Sequence, residues 1–265
     1  MKRICIIGCG YVGQAAALKW KADGHEITVT TRSLERAYAL RPFADLVYIL
    51  SEDWHMLVEK QDVVLLSVAP DLKSDYINTY LRTAETLVAS LKGSSVTQII
   101  YTGSTSVYGE HDGQWVDENT KPQPVNANAQ ILLSTEHILL KAASEHRKVC
   151  VFRLGEIYGP GRSIEGRLKR MQGSLFSGNG ESPTNLIHLD EIISALDIAM
   201  QNKLDGIYNL CNDTHIPRKD LYKQVCDQQG LPQVQWSPAA ANPHAGHKKV
   251  SNEKLKSTGW KPKNE

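Results

Sequence analysis

The turn Gly8-Cys9-Gly10-Tyr11-Val12-Gly13 follows a short β-branched run and opens a helical pattern, and that context gives its three glycines a chemical meaning. Gly8 permits a tight turn, Gly10 lets an anion approach the backbone, and Gly13 lets a helix pack closely on a strand. A helix beginning at Tyr11 also offers unpaired N–H groups and a partial positive charge at the same place. Together these residues suit the pyrophosphate of a dinucleotide. The plainer reading is a turn whose glycines serve backbone geometry alone.

The second strand ends at Thr30-Thr31-Arg32-Ser33, where an NAD site usually carries an acidic residue for the ribose 2′-hydroxyl. Here a cation stands between hydroxyls. Arg32 can hold a 2′-phosphate through charge-assisted bonds, with Thr31 and Ser33 beside it and Arg36 one turn on. The expected cofactor is therefore NADP, with NAD as the alternative; the plainer reading of Arg32 is a solvated residue at a helix start. Ser67-Val68-Ala69-Pro70 closes the fourth strand with small residues, leaving room for the adenine-side ribose.

The elements that must position these groups alternate: short buried-looking runs at 3–7, 26–31, 46–49, 62–68, 98–102 and 149–154, separated by helical patterns at 11–23, 74–91 and 131–144. A further helix is expected over 189–200. Strands hidden on both faces read as continuous apolar runs, as these do, and helical crossovers between them imply parallel pairing. The fold class is α/β, a doubly wound parallel sheet. After about residue 205 prolines and lysines accumulate, which predicts a small C-terminal cap.

The composition excludes several classes. With 265 residues, 30 Lys+Arg against 29 Asp+Glu and a net charge of +1, no chain-wide field draws the protein to nucleic acid or to an anionic membrane. No apolar run approaches the roughly 20 residues of a membrane span, and the reading is of a cytoplasmic protein. The five cysteines form no CxxC pair and read as reduced, buried small hydrophobes. His244 and His247 are a weak metal pair without a carboxylate or thiol nearby, so no metal site is assigned.

Five motifs, in order, resemble the extended or atypical short-chain dehydrogenases, the NAD-dependent epimerase/dehydratase family. They are the turn 8–13; Tyr101-Thr102-Gly103-Ser104-Thr105-Ser106-Val107-Tyr108-Gly109; Arg153-Leu154-Gly155-Glu156-Ile157-Tyr158-Gly159-Pro160-Gly161-Arg162; Asn185 to Glu191; and Gly206 to Leu210. The resemblance implies a Rossmann domain over 1–163, completed by about 186–212, and a small substrate-binding cap from 164–185 and 213–265. It implies cofactor contacts at Thr102, Gly103, Arg153 and Gly155, and a substrate hydrogen bond from Ser104. It also implies a small-molecule substrate such as a nucleotide sugar, and homodimers built on the helices at 74–91 and 131–144.

The family's Tyr-x-x-x-Lys pair is missing. Counting back from Glu136 puts the tyrosine position on Asn128 and the lysine position on Leu132, and residues 122–140 contain neither tyrosine nor lysine. Asn128 can hydrogen-bond but has no proton to exchange, and Leu132 has no charge. Another group, such as Tyr108, Glu110, His137 or Glu156, would then act as acid or base, or hydride transfer would proceed without strong acid–base help. Asp190 is expected to cap the helix that follows it. Arg162 and Arg167 are candidates for a substrate phosphate. Two readings follow: an NAD(P)-dependent oxidoreductase or epimerase-like enzyme with Ser104, Tyr108 and Asn128 as candidate catalytic residues, or an NADP(H)-binding regulator without turnover.

Overall fold

Successive residues of the first strand bury on opposite sides, and that alternation builds two layers of core. In the computed structural model, which describes residues 1–50, 54–70, 75–237 and 246–263, Ile4 and Ile6 join one apolar cluster while Cys5 and Ile7 join another. The seven strands of the central sheet are β1 (Arg3–Ile7), β2 (Glu26–Thr31), β3 (Leu46–Ile49), β4 (Val63–Leu66), β5 (Gln98–Ser104), β6 (Lys148–Leu154) and β7 (Gly206–Leu210). All pair in parallel, in the order β7-β6-β5-β4-β1-β2-β3. The chain reverses its direction of travel across the sheet between β1 and β4, so a crevice opens there at the strands' carboxyl ends.

One face of the sheet is covered by α1 (Tyr11–Ala22) and the helix Leu189–Asn202. Trp20 is completely buried, and its indole N–H donates to Asp197 at 2.6 Å, tying those two helices together. The other face carries the helices Thr83–Ser90 and Ala127–Leu140. Residues 74–91 were expected to form one helix; the segment Ile77–Arg82 winds with π-type hydrogen bonds before the α-helix proper begins, and Ser74 lies outside the described residues. The helix Ala127–Leu140 starts four residues earlier than its apolar pattern because the Asn126 side chain accepts from the Ala129 N–H at 2.9 Å.

Two separate segments build the cap: the helices Ile164–Arg170 and Arg218–Gln229 and a strand pair, Leu175–Ser177 with Gln235–Ser237. Ile164, Leu168, Phe176, Leu186, Tyr222 and Cys226 form its core. The final stretch behaves differently from the rest of 213–265. Lys249–Val250 pairs with Trp115–Val116, and Leu255 and Trp260 bury in the main core beside the helix Leu189–Asn202, where the Trp260 indole donates to Ser194 at 3.0 Å. An indole that can bury its rings and still satisfy its N–H fits the sheet side better than a small cap.

All five cysteines are buried and unpaired. Among the described residues no helix is long and apolar enough to cross a membrane. His244 lies outside the described residues.

Candidate active site

The glycines of the opening turn are held to their type by what surrounds them. Gly8 has φ +92°, and a Cβ there would sit 2.5 Å from the Ser67 carbonyl oxygen. The loops after β1 and β4 therefore touch across the crevice only because residue 8 has no side chain. A Cβ on Gly13 would meet the Gly8 carbonyl oxygen at 2.5 Å and Ile6 at 3.2 Å, so its absence sets how closely α1 approaches β1. Gly10 is different: a Cβ there would meet nothing within 4 Å. Gly10 borders open space at the start of α1, whose N-cap provides no side-chain acceptor for the helix's first N–H groups. An anion fits that cradle.

The ends of β2 and β4 frame it. Thr31 is buried at the strand end, and Arg32 and Ser33 follow it at the surface. The Ser33 hydroxyl accepts from the Arg36 N–H at 3.2 Å and so caps the helix Leu34–Leu40. Arg36 reaches back to the Cys9 carbonyl at 3.4 Å, joining this helix to the glycine turn. On the β4 side Ser67 is buried, Val68 half-buried and Ala69 exposed. The Thr102 hydroxyl donates to Ser67 Oγ at 3.0 Å, linking the loop after β4 to β5.

Tyr11 connects the turn to the third motif. Its hydroxyl donates to the Pro160 carbonyl at 2.9 Å, and the Arg162 guanidinium lies 4.5 Å above its ring. Beyond this contact a cavity of about 840 Å³ opens between the sheet edge and the cap, lined by Ser104, Thr105 and Ser106, by Gly155 and Glu156, and by cap residues including Phe176, Tyr222 and Trp236. Among the described residues its charged lining consists of Arg162, Arg167, Arg170, Arg218 and Lys248 against a single carboxylate, Glu156. Ser104 begins a short 3₁₀ turn, and its hydroxyl accepts from the Ser106 N–H at 3.2 Å. That bond leaves the hydroxyl proton available for a ligand oxygen.

Glu156 is satisfied by Arg167 and by Arg218, the latter at 2.7 Å. Burial pushes the Glu156 carboxyl up, but the two guanidinium groups outweigh it and hold it below the ordinary carboxylate range. Arg218 also donates to the Tyr222 hydroxyl at 3.0 Å. Arg170, Arg218, Tyr222, Trp236 and Lys248 escaped the sequence reading, since they are scattered over about eighty residues and only the folded cap gathers them.

Three expected site residues stand elsewhere. Tyr108 has no exposed surface, its hydroxyl donates to Asn209 at 2.8 Å, and burial pushes its phenol up to about 12 against the pull of Arg153. It is a core residue without access to the cavity. Asn128 is exposed on the first turn of its helix, while Leu132 is buried with Val107 and Leu133 in an apolar cluster. Arg153 is 2% exposed and doubly bonded to the fully buried Glu136, at 3.1 and 2.7 Å. Its guanidinium also lies 4.7 Å from the centre of the Tyr108 ring. Gly103 lies directly across from Arg153 in the sheet register; a Cβ there would be tight against the Tyr101 ring at 3.0 Å and in ordinary contact with Glu136 Oε1 at 3.4 Å.

His188, not Asp190, caps the helix Leu189–Asn202. Its Nδ1 accepts from the Asp190 N–H at 3.2 Å, and Glu191 returns the favour by accepting from the His188 N–H at 3.1 Å. This reciprocal box satisfies two helix-end donors at once.

A crevice at the sheet reversal, two constrained glycines flanking an open one, and a cavity with a serine in its wall under a small cap are now matched by comparison. The model of the NAD dependent epimerase/dehydratase family covers residues 4–211. The chain belongs to this family. Protein YeeZ of Escherichia coli (strain K12) is 29% identical over 249 residues, spanning 89% of this chain and 87% of YeeZ. Among solved structures, a functionally unknown conserved protein from Silicibacter pomeroyi superposes with a TM-score of 0.81 at 25% identity, covering 100% of this chain and 94% of its own. UDP-glucuronic acid 4-epimerase from Bacillus cereus, in complex with NAD, gives 0.82 at 15% identity, covering 99% and 94%. At that identity the likeness is one of fold.

Proposed function

We propose that this member of the family binds a nicotinamide dinucleotide, NADP in preference to NAD, and acts on a small carbonyl, alcohol or sugar substrate with an anionic portion, such as a nucleotide sugar. The observation that carries this reading is the cavity, where five cations oppose one carboxylate and the Ser104 hydroxyl stands at one wall. Gly8, Gly10 and the first N–H groups of α1, at Tyr11, Val12 and Gly13, would hold the pyrophosphate. Thr31, Arg32 and Ser33, with Arg36 behind them, would face the phosphorylated ribose, and Ser67, Val68 and Ala69 would line the adenine side. The nicotinamide, when bound, supplies or takes up hydride. Ser104 polarises the reacting oxygen by hydrogen bonding, and the guanidinium groups hold the substrate's phosphates, for which their forked donors are suited.

The regulator reading draws on one specific observation: the Asn128 and Leu132 positions supply no acid or base, one being at the surface and the other in an apolar cluster. The two readings separate in a turnover assay with NADPH, aldehydes, ketones and nucleotide sugars, followed by reduced-cofactor absorbance and by product analysis for epimerisation. An enzyme turns over a member of this panel, and Ser104→Ala lowers its rate about 100-fold, the usual cost of losing one oxyanion donor. Dinucleotide binding with no product from any of them favours the regulator.

A further inference from the structure

One cation of the cavity stands apart from the arginines. Lys248 is 4% exposed, yet it lines the cavity. Its ammonium donates to one protein acceptor among the described residues, the Gly109 carbonyl at 3.1 Å, although it has three N–H donors to place. Glu110 is the carboxylate whose field reaches it, but both Glu110 oxygens accept from the His247 N–H, each at 3.0 Å. The backbone around the lysine is fixed. Asn185 donates to the Lys248 carbonyl at 3.0 Å and accepts from the Val250 N–H at 2.8 Å, and Lys249–Val250 is paired with Trp115–Val116. The ammonium is thus held in place with bonding capacity to spare.

A buried charge without a counter-ion is expensive unless a ligand supplies one. Arg167 and Arg218 already share Glu156, whereas Lys248 has no such partner among the described residues. Guanidinium and ammonium groups alike bind carboxylate and phosphate, so position decides: the anion that meets Lys248 is one carried beside the part of the substrate that Ser104 faces. Gly109 ends the short turn that Ser104 begins, so Lys248 belongs to the wall that continues from the serine.

We propose that Lys248 receives a carboxylate carried by the substrate, so that the cavity selects an acidic sugar over its neutral counterpart. This assignment rests on the reading of the cavity as a substrate site. It also accounts for the cost of the buried amine, which burial lowers to about 8 against the opposing field of Glu110; a bound carboxylate offsets that cost.

The test is calorimetric titration of the full chain with UDP-glucose and UDP-glucuronate, which differ by one carboxylate, and with free glucose and glucuronate. The wild-type protein binds the acid of a pair about tenfold or more tightly than the neutral sugar, the size of a charge-assisted hydrogen bond. In Lys248→Met and Lys248→Gln the ratio falls to about one; neither change leaves a buried charge, so both variants keep the fold, checked by thermal unfolding. Equal binding in the wild-type protein, or a preference that survives in both variants, overturns the assignment. If neither UDP-sugar binds while free glucuronate shows a Lys248-dependent preference, the nucleotide-sugar reading falls and Lys248 keeps its role. If no acid binds at all, the role of Lys248 is refuted.

Discussion

Gly10→Val is expected to raise the dissociation constant for NADPH by more than about 100-fold, some 2.7 kcal/mol, while leaving the fold in place. The two halves of that expectation have separate causes. A Cβ at residue 10 would meet no protein atom within 4 Å, so nothing inside the chain resists the new side chain. Loss of a favourable N-cap residue costs roughly 1 kcal/mol at most in such a position. The space into which valine projects is the space a pyrophosphate must occupy to reach the N–H groups of α1. Gly8→Ala makes the control, since its Cβ would strike the Ser67 carbonyl at 2.5 Å from a backbone at φ +92°; here stability itself falls. Titration with NADPH and thermal unfolding of both variants distinguish the cases. Undiminished binding by Gly10→Val removes the turn from the cofactor site.

Arg153→Met is expected to cost about 3–5 kcal/mol of stability, because it strands the Glu136 carboxylate in the core. Glu136 has no exposed surface and Arg153 almost none, and Arg153 supplies the guanidinium that satisfies it, at 3.1 and 2.7 Å. A loss of that size lowers the melting temperature by roughly 10 °C in a protein of this length. The double variant Glu136→Gln with Arg153→Met recovers much of the loss, since the buried charge disappears with its partner. Thermal unfolding of the single and double variants measures this directly. A single variant with unchanged stability and weakened NADPH binding would return Arg153 to the cofactor site where the sequence placed it.

The Arg153–Glu136 pair shows which kind of information the chain carries locally. The glycine turn and the strands β1 to β3 were legible because their signals are contained in a few consecutive residues: apolar runs, a turn, then a helix start. The capping box at His188 and Glu191 lies equally close in sequence, but a histidine acceptor is a weaker signal than an aspartate, and Asp190 drew the reading. The surroundings of Arg153 and Tyr108 were not legible for a different reason. Their environments depend on the register of β5 against β6, which sets Gly103 opposite Arg153, and on a helix that brings Glu136 to the same point. No spacing within either motif encodes that meeting. Of the cavity's cations Arg162 and Arg167 were named from their loop, but Arg170, Arg218 and Lys248 join them only after the cap has folded and the last strand has returned to the Trp115–Val116 pair.

The absent Tyr-Lys pair acquires a structural meaning from the same comparison. Leu132 packs with Val107 and Leu133, so the lysine position contributes to a dry cluster under the 3₁₀ turn that carries Ser104. Burying a leucine in this way stabilises by about 1.5–3 kcal/mol.

All of the chemistry proposed here depends on a dinucleotide lying across Gly8 to Gly13 with its ribose toward Arg32. Calorimetric titration of the folded full-length chain with NADPH and with NADH tests that dependence most directly. The account predicts saturable binding of one dinucleotide per chain, tighter for NADPH than for NADH; heat changes indistinguishable from buffer for both dinucleotides would contradict it.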